Sequence, residues 1–300
     1  MSFNSVSKPI AGLSELAADY DVILSDVWGV VHDGRTHTPA AADALTRFRE
    51  KGGTVVLITN APRPRAPIVQ MLDAFGLPRA AYDSIVSSGD VTVDLVCERG
   101  LAPLHHIGPP KDLSLFDTVA ERLGEKPPLL PLADADYVVC TGLFDDYGDP
   151  EPYQPSLVAM KERDLAMICA NPDIVVHVGD DLLWCAGALA ERYAGLGGRV
   201  IMAGKPHAII YEAALKEAAR VRGKDFDRAR VLAVGDGLFT DIRGAAAQGF
   251  DALFVTSGIH RDALHPANGG DDWSVDEAAY RNLLAEAGAA PAAHLRELVW

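Results

Sequence analysis

The sequence predicts an α/β protein: a Rossmann-like, doubly wound parallel sheet with an inserted α/β cap domain. Three observations carry this expectation. Short β-branched runs alternate with amphipathic stretches. Polar or acidic residues stand directly after the runs. A turn-rich middle section, with its own strand-like runs, interrupts the series. Strand, polar loop, helix, strand is the pattern of a parallel sheet covered on both faces, with ligands at the carboxyl ends of its strands.

The elements follow in order. Val22-Ile23-Leu24 reads as a buried strand leading to Asp26, with a helix over 40–51 behind it. The run 54–58 leads to Thr59-Asn60, followed by a helix over 66–75. Ile85-Val86 leads to the polar loop Ser87-Ser88-Gly89. From about residue 90 to 190 turns are frequent, as in Gly108-Pro109-Pro110 and Lys126-Pro127-Pro128, and strands are expected at 137–140, 166–169 and 174–178. The first domain's strand pattern resumes at 199–202 and continues with a helix over 208–222, a strand at 231–234, a helix over 241–248 and a strand at 253–255. A loop over 263–272 precedes a helix over 274–287, with Ser274 and Glu277 as a capping box and Gly288 as its stop; a shorter helix follows Pro291. The expected domains are 1–89 and 191–300 for the core and 90–190 for the cap.

Composition narrows the function. In 300 residues, 49% are apolar, enough for packed cores, and the net charge of −15 argues against nucleic-acid or anionic-membrane partners. An acidic chain still binds phosphate through backbone N–H groups, a lysine and a metal. Cys97, Cys140, Cys169 and Cys185 form no Cys-x-x-Cys pair and read as small buried hydrophobes. The first ten residues lack a signal-peptide pattern and no apolar run is long enough to span a bilayer, so a cytoplasmic protein is expected.

Four strand-end elements carry chemistry: Asp26 with Gly29; Thr59-Asn60; Lys205 in Ala-Gly-Lys-Pro-His; and Asp236 with Asp241 in Val-Gly-Asp-Gly-Leu-Phe-Thr-Asp-Ile. Each alone is an ordinary turn or helix start. As an ordered set, each closing a strand, they are far more specific. Asp241 also stands where it would cap a helix beginning at Ile242.

With this set the chain resembles the haloacid-dehalogenase-superfamily phosphatases, specifically subfamily IIA, the NagD-like branch with a large α/β cap. Ala170-Asn171-Pro172-Asp173 and 185–193 are similar to cap segments of that branch. The resemblance implies a Mg²⁺-dependent hydrolase acting on a small phosphorylated metabolite through an aspartyl-phosphate at Asp26. Asp26, Asp236 and the backbone carbonyl of Trp28 would hold Mg²⁺, and Asp241 would orient a water or Lys205. Thr59 and the N–H of Asn60 would donate to the phosphoryl oxygens, and Lys205 would pair with Asp26 and the phosphate. Oxygen donors suit Mg²⁺, and a cation offsets the repulsion between a carboxylate nucleophile and a phosphate. The cap face near Asn171-Pro172-Asp173 would turn toward the core. Such caps often mediate homodimers.

Trp28 departs from that pattern. Most of these phosphatases carry an Asp two residues after the nucleophile, as general acid and base. An indole only donates, and loss of such a group typically costs about 10²–10⁴-fold in rate. Either His32 and Asp33 substitute, or Val-Val-His-Asp-Gly is only a turn; turnover is then slow or restricted to good leaving groups. The alternative is a weakly catalytic or inactive protein that binds a phosphorylated ligand in a regulatory role. Arg63 and Arg65 either reach an anionic substrate tail or form a solvated helix entry. In the cap, Asp145, Asp146 and Tyr147 either line a cleft or cap a helix. Tyr137, Phe144, Tyr153 and Trp184 are expected in the core rather than at an interface.

Overall fold

The structure, a computed structural model, describes residues 7–145, 147–178, 181–265 and 275–300. The strands are β1 (Lys8–Pro9), β2 (Val22–Ser25), β3 (Thr54–Thr59), β4 (Ser84–Ser87), β5 (Leu104–Ile107), β6 (Tyr137–Cys140), β7 (Ala166–Cys169), β8 (Val175–Val178), β9 (Asp181–Trp184), β10 (Arg199–Met202), β11 (Val231–Gly235), β12 (Asp251–Val255) and β13 (Ala293–Leu295). The chain divides into two compact units.

The first unit comprises Met1–Thr59, Val69–Val86 and Tyr211–Trp300. Its seven-stranded sheet has the order β1-β13-β12-β11-β2-β3-β4. β2 lies between β11 and β3, both parallel to it, with Ser25 in register with Val234 and Leu57. Val22, Ile23 and Leu24 are fully buried, which is why a short β-branched run suffices for the central strand. Burial of each such side chain contributes about 1.5–3 kcal/mol. The flanking helix Pro39–Glu50 opens on Pro39, whose fixed φ suits a first helical turn, and buries Leu45 and Phe48.

The second unit comprises Asn60–Ile68 and Ser87–Ile210. A four-stranded sheet, β10-β7-β6-β5, is parallel throughout. β8 and β9 form an antiparallel pair. Leu157, Met167, Leu189 and Tyr193 are among its core residues. Ser87 and Asp90 form a capping box at the start of the helix Ser88–Cys97. The segment read as a polar loop is therefore a helix start.

Four further expectations change. The strand 199–202 does not return to the first unit's sheet: β10 pairs in parallel with β7 as an edge of the four-stranded sheet. A strand's sequence specifies its faces, not its neighbours. The stretch after Pro291 is β13 rather than a helix, because pairing with β12 and β1 overrides the helical propensity of its alanines. Of the aromatic residues assigned to the core, Tyr137 is buried, whereas Phe144 and Trp184 are exposed. A short helix, Arg261–Leu264, occupies the start of the loop expected over 263–272; the rest of that loop, and Ser274, lie outside the described residues. The C-terminal helix is Glu277–Ala287, capped by Asp276 and ended by Gly288 in the left-handed conformation. Among the described residues, no helix is long and apolar enough to cross a membrane.

Candidate active site

Strand order decides which side chains meet. Asp26 is the first residue past β2, and its N–H still donates to the Val234 carbonyl at 2.7 Å, which fixes it at the sheet's carboxyl edge. Asp236 follows the adjacent strand β11, and Thr59 ends β3 on the other side. Neighbouring strands lie about 4.8 Å apart, so residues closing them at the same level stand side by side. Asp26, Asp236 and Asp241 are all buried, and each offers a carboxylate oxygen within 4.8 Å of the others. Thr59 is buried as well.

Two glycines let Asp236 into this cluster. A Cβ on Gly29, which has φ +78°, would lie 2.1 Å from Asp236 Oδ2, and one on Gly258 would lie 2.0 Å from it. No side chain fits at either position. The Ile259 N–H, next to Gly258, donates to Asp236 Oδ2 at 2.8 Å. Asp241 lies in a π-helical turn, Leu238–Ile242. Its Oδ2 accepts from the Gly237 N–H at 3.1 Å and the Thr240 hydroxyl at 3.3 Å. The π turn runs directly into the helix Arg243–Gln248, whose N-cap position is Ile242, so Asp241 lies inside the helical run rather than at its cap. The π turn turns this carboxylate back toward the strand ends, a common use of such turns.

His260 was not among the expected site residues. Its Nε2 accepts the Leu238 N–H at 3.3 Å. Burial lowers its pKa, with Asp241 opposing, and the neutral ring is the form able to accept. The loop after β12 thus grips the segment after β11 twice: Ile259 donates to Asp236, and His260 accepts from Leu238. A polar loop after a strand, Thr256-Ser257-Gly258, was the signal available in the sequence.

Three carboxylates so placed fit a divalent cation. At an effective dielectric of about 20, two unit charges 4.8 Å apart repel by roughly 3 kcal/mol. A divalent ion among them converts repulsion into attraction. An all-oxygen set of this kind suits Mg²⁺.

Trp28 follows Asp26 by two residues and is 37% exposed. Its ring meets the edge of His32 with centroids 5.1 Å apart, and His32 meets Phe75 at 5.2 Å. His32 is buried, its Nδ1 accepts the Gly34 N–H at 2.9 Å, and burial pushes its pKa down to about 4, against the pull of Asp33. It is a neutral ring at neutral pH. Asp33 accepts from the Arg35 and Thr36 N–H groups, which lower its pKa. That is a turn-forming carboxylate.

In the second unit Lys205 is 2% exposed. The Asn60 amide holds its backbone from both sides: Oδ1 accepts the Lys205 N–H at 2.7 Å, and Nδ2 donates to the Lys205 carbonyl at 3.1 Å and to Asp173 Oδ1 at 2.8 Å. A Cβ on Gly204 would lie 2.3 Å from Asn60 Oδ1, so glycine is needed beside this latch. Asn60 thus has a side-chain role that the expectation for its N–H did not include. Arg63 pairs with the buried Asp112 at 3.2 Å and Arg65 with Asp90 at 3.6 Å, so each answers to an acid of its own unit rather than lying fully solvated. Asp145 accepts the Tyr147 N–H at 3.1 Å within a turn, and Asp146 lies outside the described residues.

Comparison with known proteins agrees with this arrangement. Residues 23–120 match the family of haloacid dehalogenase-like hydrolases, and residues 202–279 match a second, HAD-hydrolase-like model. A crystal structure of a haloacid dehalogenase-like family hydrolase from Brucella suis is 43% identical, with a TM-score of 0.81, covering 96% of this chain and 99% of that one. A D-glycerol 3-phosphate phosphatase from Mycobacterium tuberculosis is 30% identical over 83% of this chain and 66% of its own length. A glycerol phosphate phosphatase from the same organism, solved in complex with magnesium, is 25% identical with a TM-score of 0.63, covering 84% of this chain and 73% of that one. The chain belongs to the haloacid dehalogenase-like hydrolases, in the phosphatase branch whose parallel core sheet is accompanied by a separate parallel cap sheet.

Proposed function

We propose that the protein is a Mg²⁺-dependent phosphatase that hydrolyses a small phosphorylated metabolite through an aspartyl-phosphate at Asp26. The observation that supports it most is the convergence of three buried carboxylates, two at the ends of adjacent strands and one from the π turn after β11. Asp26, Asp236 and the carbonyl of Trp28 would hold the ion, with Asp241 orienting its surroundings. The ion supplies charge neutralisation that lets a carboxylate approach a phosphate. Thr59 and the Asn60 N–H donate to the phosphoryl oxygens. Lys205 would add a point charge, and the Asn60 amide fixes the Lys205 backbone.

Trp28 shapes the reaction. An indole cannot protonate a leaving oxygen, so turnover favours leaving groups that depart unaided. His32, neutral and bonded to the Gly34 N–H, and Asp33, committed to its turn, serve better as scaffold than as acid and base. The same observation favours a second reading: a phosphate-ligand-binding protein with little turnover.

Hydrolysis of 4-nitrophenyl phosphate, with and without Mg²⁺, decides between them. Glycerol phosphate, named for the mycobacterial relatives, is the alkyl ester to assay beside it. The phosphatase reading expects Mg²⁺-dependent release that Asp26→Asn abolishes. Trp28→Asp is expected to raise the rate on the alkyl ester by about 10²-fold or more, since a general acid is typically worth that much. Binding of the phosphate ester without turnover, unchanged by Trp28→Asp, supports the ligand-binding protein instead.

A further inference from the structure

Trp28 does more than remove an acid; the fold builds a seat for it. The indole rests against the edge of His32, itself backed by Phe75. Gly34 clears the space beside it: a Cβ there would lie 2.9 Å from Trp28 Cζ2, at a backbone φ of +91° that disfavours side chains anyway. The Gly34 N–H donates to His32 Nδ1, locking the supporting ring to the same turn. An indole held on one side and 37% exposed is a fixed planar surface, two residues from Asp26. Such a surface costs little further entropy when a second ring stacks on it.

We propose that Trp28 is a specificity-determining residue whose ring selects phosphomonoesters of planar aromatic alcohols. This rests on the phosphatase reading above and names the substrate class for that same site. The preference for a plane and the lack of an acid point the same way. A phenol has a pKa of about 10, far below the value of about 16 for water, so an aryloxide departs without the proton an alkoxide needs.

The step balances. A carboxylate oxygen of Asp26 bonds to phosphorus as the bond from phosphorus to the aryl oxygen breaks. The electron pair leaves on the aryloxide, which takes a proton from solvent. Water then adds at phosphorus and the bond to Asp26 breaks to restore the carboxylate; one water proton stays on the new phosphate oxygen and the other returns to solvent, replacing the one the aryloxide took. One water is consumed, and one phenol and one hydrogen phosphate are formed.

The test uses two non-hydrolysable probes, 1-naphthylphosphonate and propylphosphonate, titrated calorimetrically into the full chain with Mg²⁺. Stacking of a planar ring on an aromatic side chain is worth on the order of tenfold in affinity. The wild type should therefore bind the naphthyl probe about fivefold more tightly or better; a smaller preference overturns the inference. Trp28→Leu should remove most of the preference and Trp28→Phe should keep most of it. A preference that Trp28→Leu leaves intact also overturns it. If Trp28→Leu does not fold, as read by its thermal melt, Trp28→Ala and the wild-type ratio decide. A naphthyl preference that depends on Trp28, without hydrolysis of any ester, upholds the ring's selectivity but refutes the phosphatase reading, so that Trp28 would select a ligand rather than a substrate. Hydrolysis without aryl preference does the reverse.

Discussion

Asn60 holds a backbone in place with a neutral side chain, using both ends of its amide on Lys205 and one on Asp173. Asn60→Asp keeps an acceptor for the Lys205 N–H but loses both donated bonds and sets a second carboxylate against Asp173. Buried polar groups left without partners cost about 1–3 kcal/mol. Urea unfolding should show a loss in that range, and an unchanged midpoint would dismiss the latch. His260 invites a parallel experiment. His260→Leu removes the acceptor for the Leu238 N–H and should cost a similar amount. His260→Gln, which restores an acceptor at the end of a side chain, should recover part of it, whereas a packing role alone would respond to volume rather than to the acceptor.

At the scale of elements, the carboxyl ends of β11 and β12 act as one device. Gly258 and Ile259 hold Asp236 from the β12 side, and the π turn Leu238–Ile242 brings Asp241 back to it. Gly258→Ala would place a methyl 2.0 Å from Asp236 Oδ2, and the carboxylate must yield. Disturbing groups that orient ligands typically costs 10–100-fold in metal affinity. Calorimetric titration with Mg²⁺ should show a loss of about that size, and an unaltered affinity would separate Asp236 from the metal site. The reasons these parts were or were not legible in the sequence are physical. Asp26, Thr59 and Asp236 announce themselves because a β-branched run followed by a polar residue is a local pattern, and parallel strands bring such residues to one edge. His260 does not, because a hydrogen bond between loops of neighbouring strands leaves no periodicity. The sheet that β10 joins, the strand character of β13, and the exposure of Phe144 and Trp184 depend on neighbours far away in the chain. The strand-end carboxylates Asp26 and Asp236 were thus readable, while the features that shape their cluster were not.

At the scale of the whole molecule, each unit holds a histidine that resists protonation, His32 buried in the first and His106 half-buried in the second. In the first unit His32 is pushed from an ordinary 6.5 down to about 4 by burial, with Asp33 opposing. In the second, His106 is likewise pushed down to about 4 by burial, assisted by repulsion from His105; its Nε2 lies 2.9 Å from Thr141 Oγ1 and its ring meets Phe116 edge-on at 5.3 Å. The unfolded chain binds protons at these sites near pH 6.5, whereas the folded chain does so only near pH 4. Between those values the unfolded state holds more protons, so stability falls as pH falls. Each histidine contributes at most about 3 kcal/mol, fully present above pH 6.5 and lost by about pH 4. The chain's net charge of −15 acts in the opposite sense, since protonation relieves self-repulsion. That relief is spread over the surface and screened within about 8 Å at physiological salt, so the desolvated histidines should dominate, His32 and His106 foremost. Urea midpoints measured at 0.15 M salt should be level above pH 7 and decline from about pH 6.5, before most carboxylates titrate. His106→Gln, which keeps polar contact with Thr141 but cannot be protonated in this range, should flatten part of that decline. Equal stability at pH 5 and pH 7.5 would show that neither histidine is held neutral by burial.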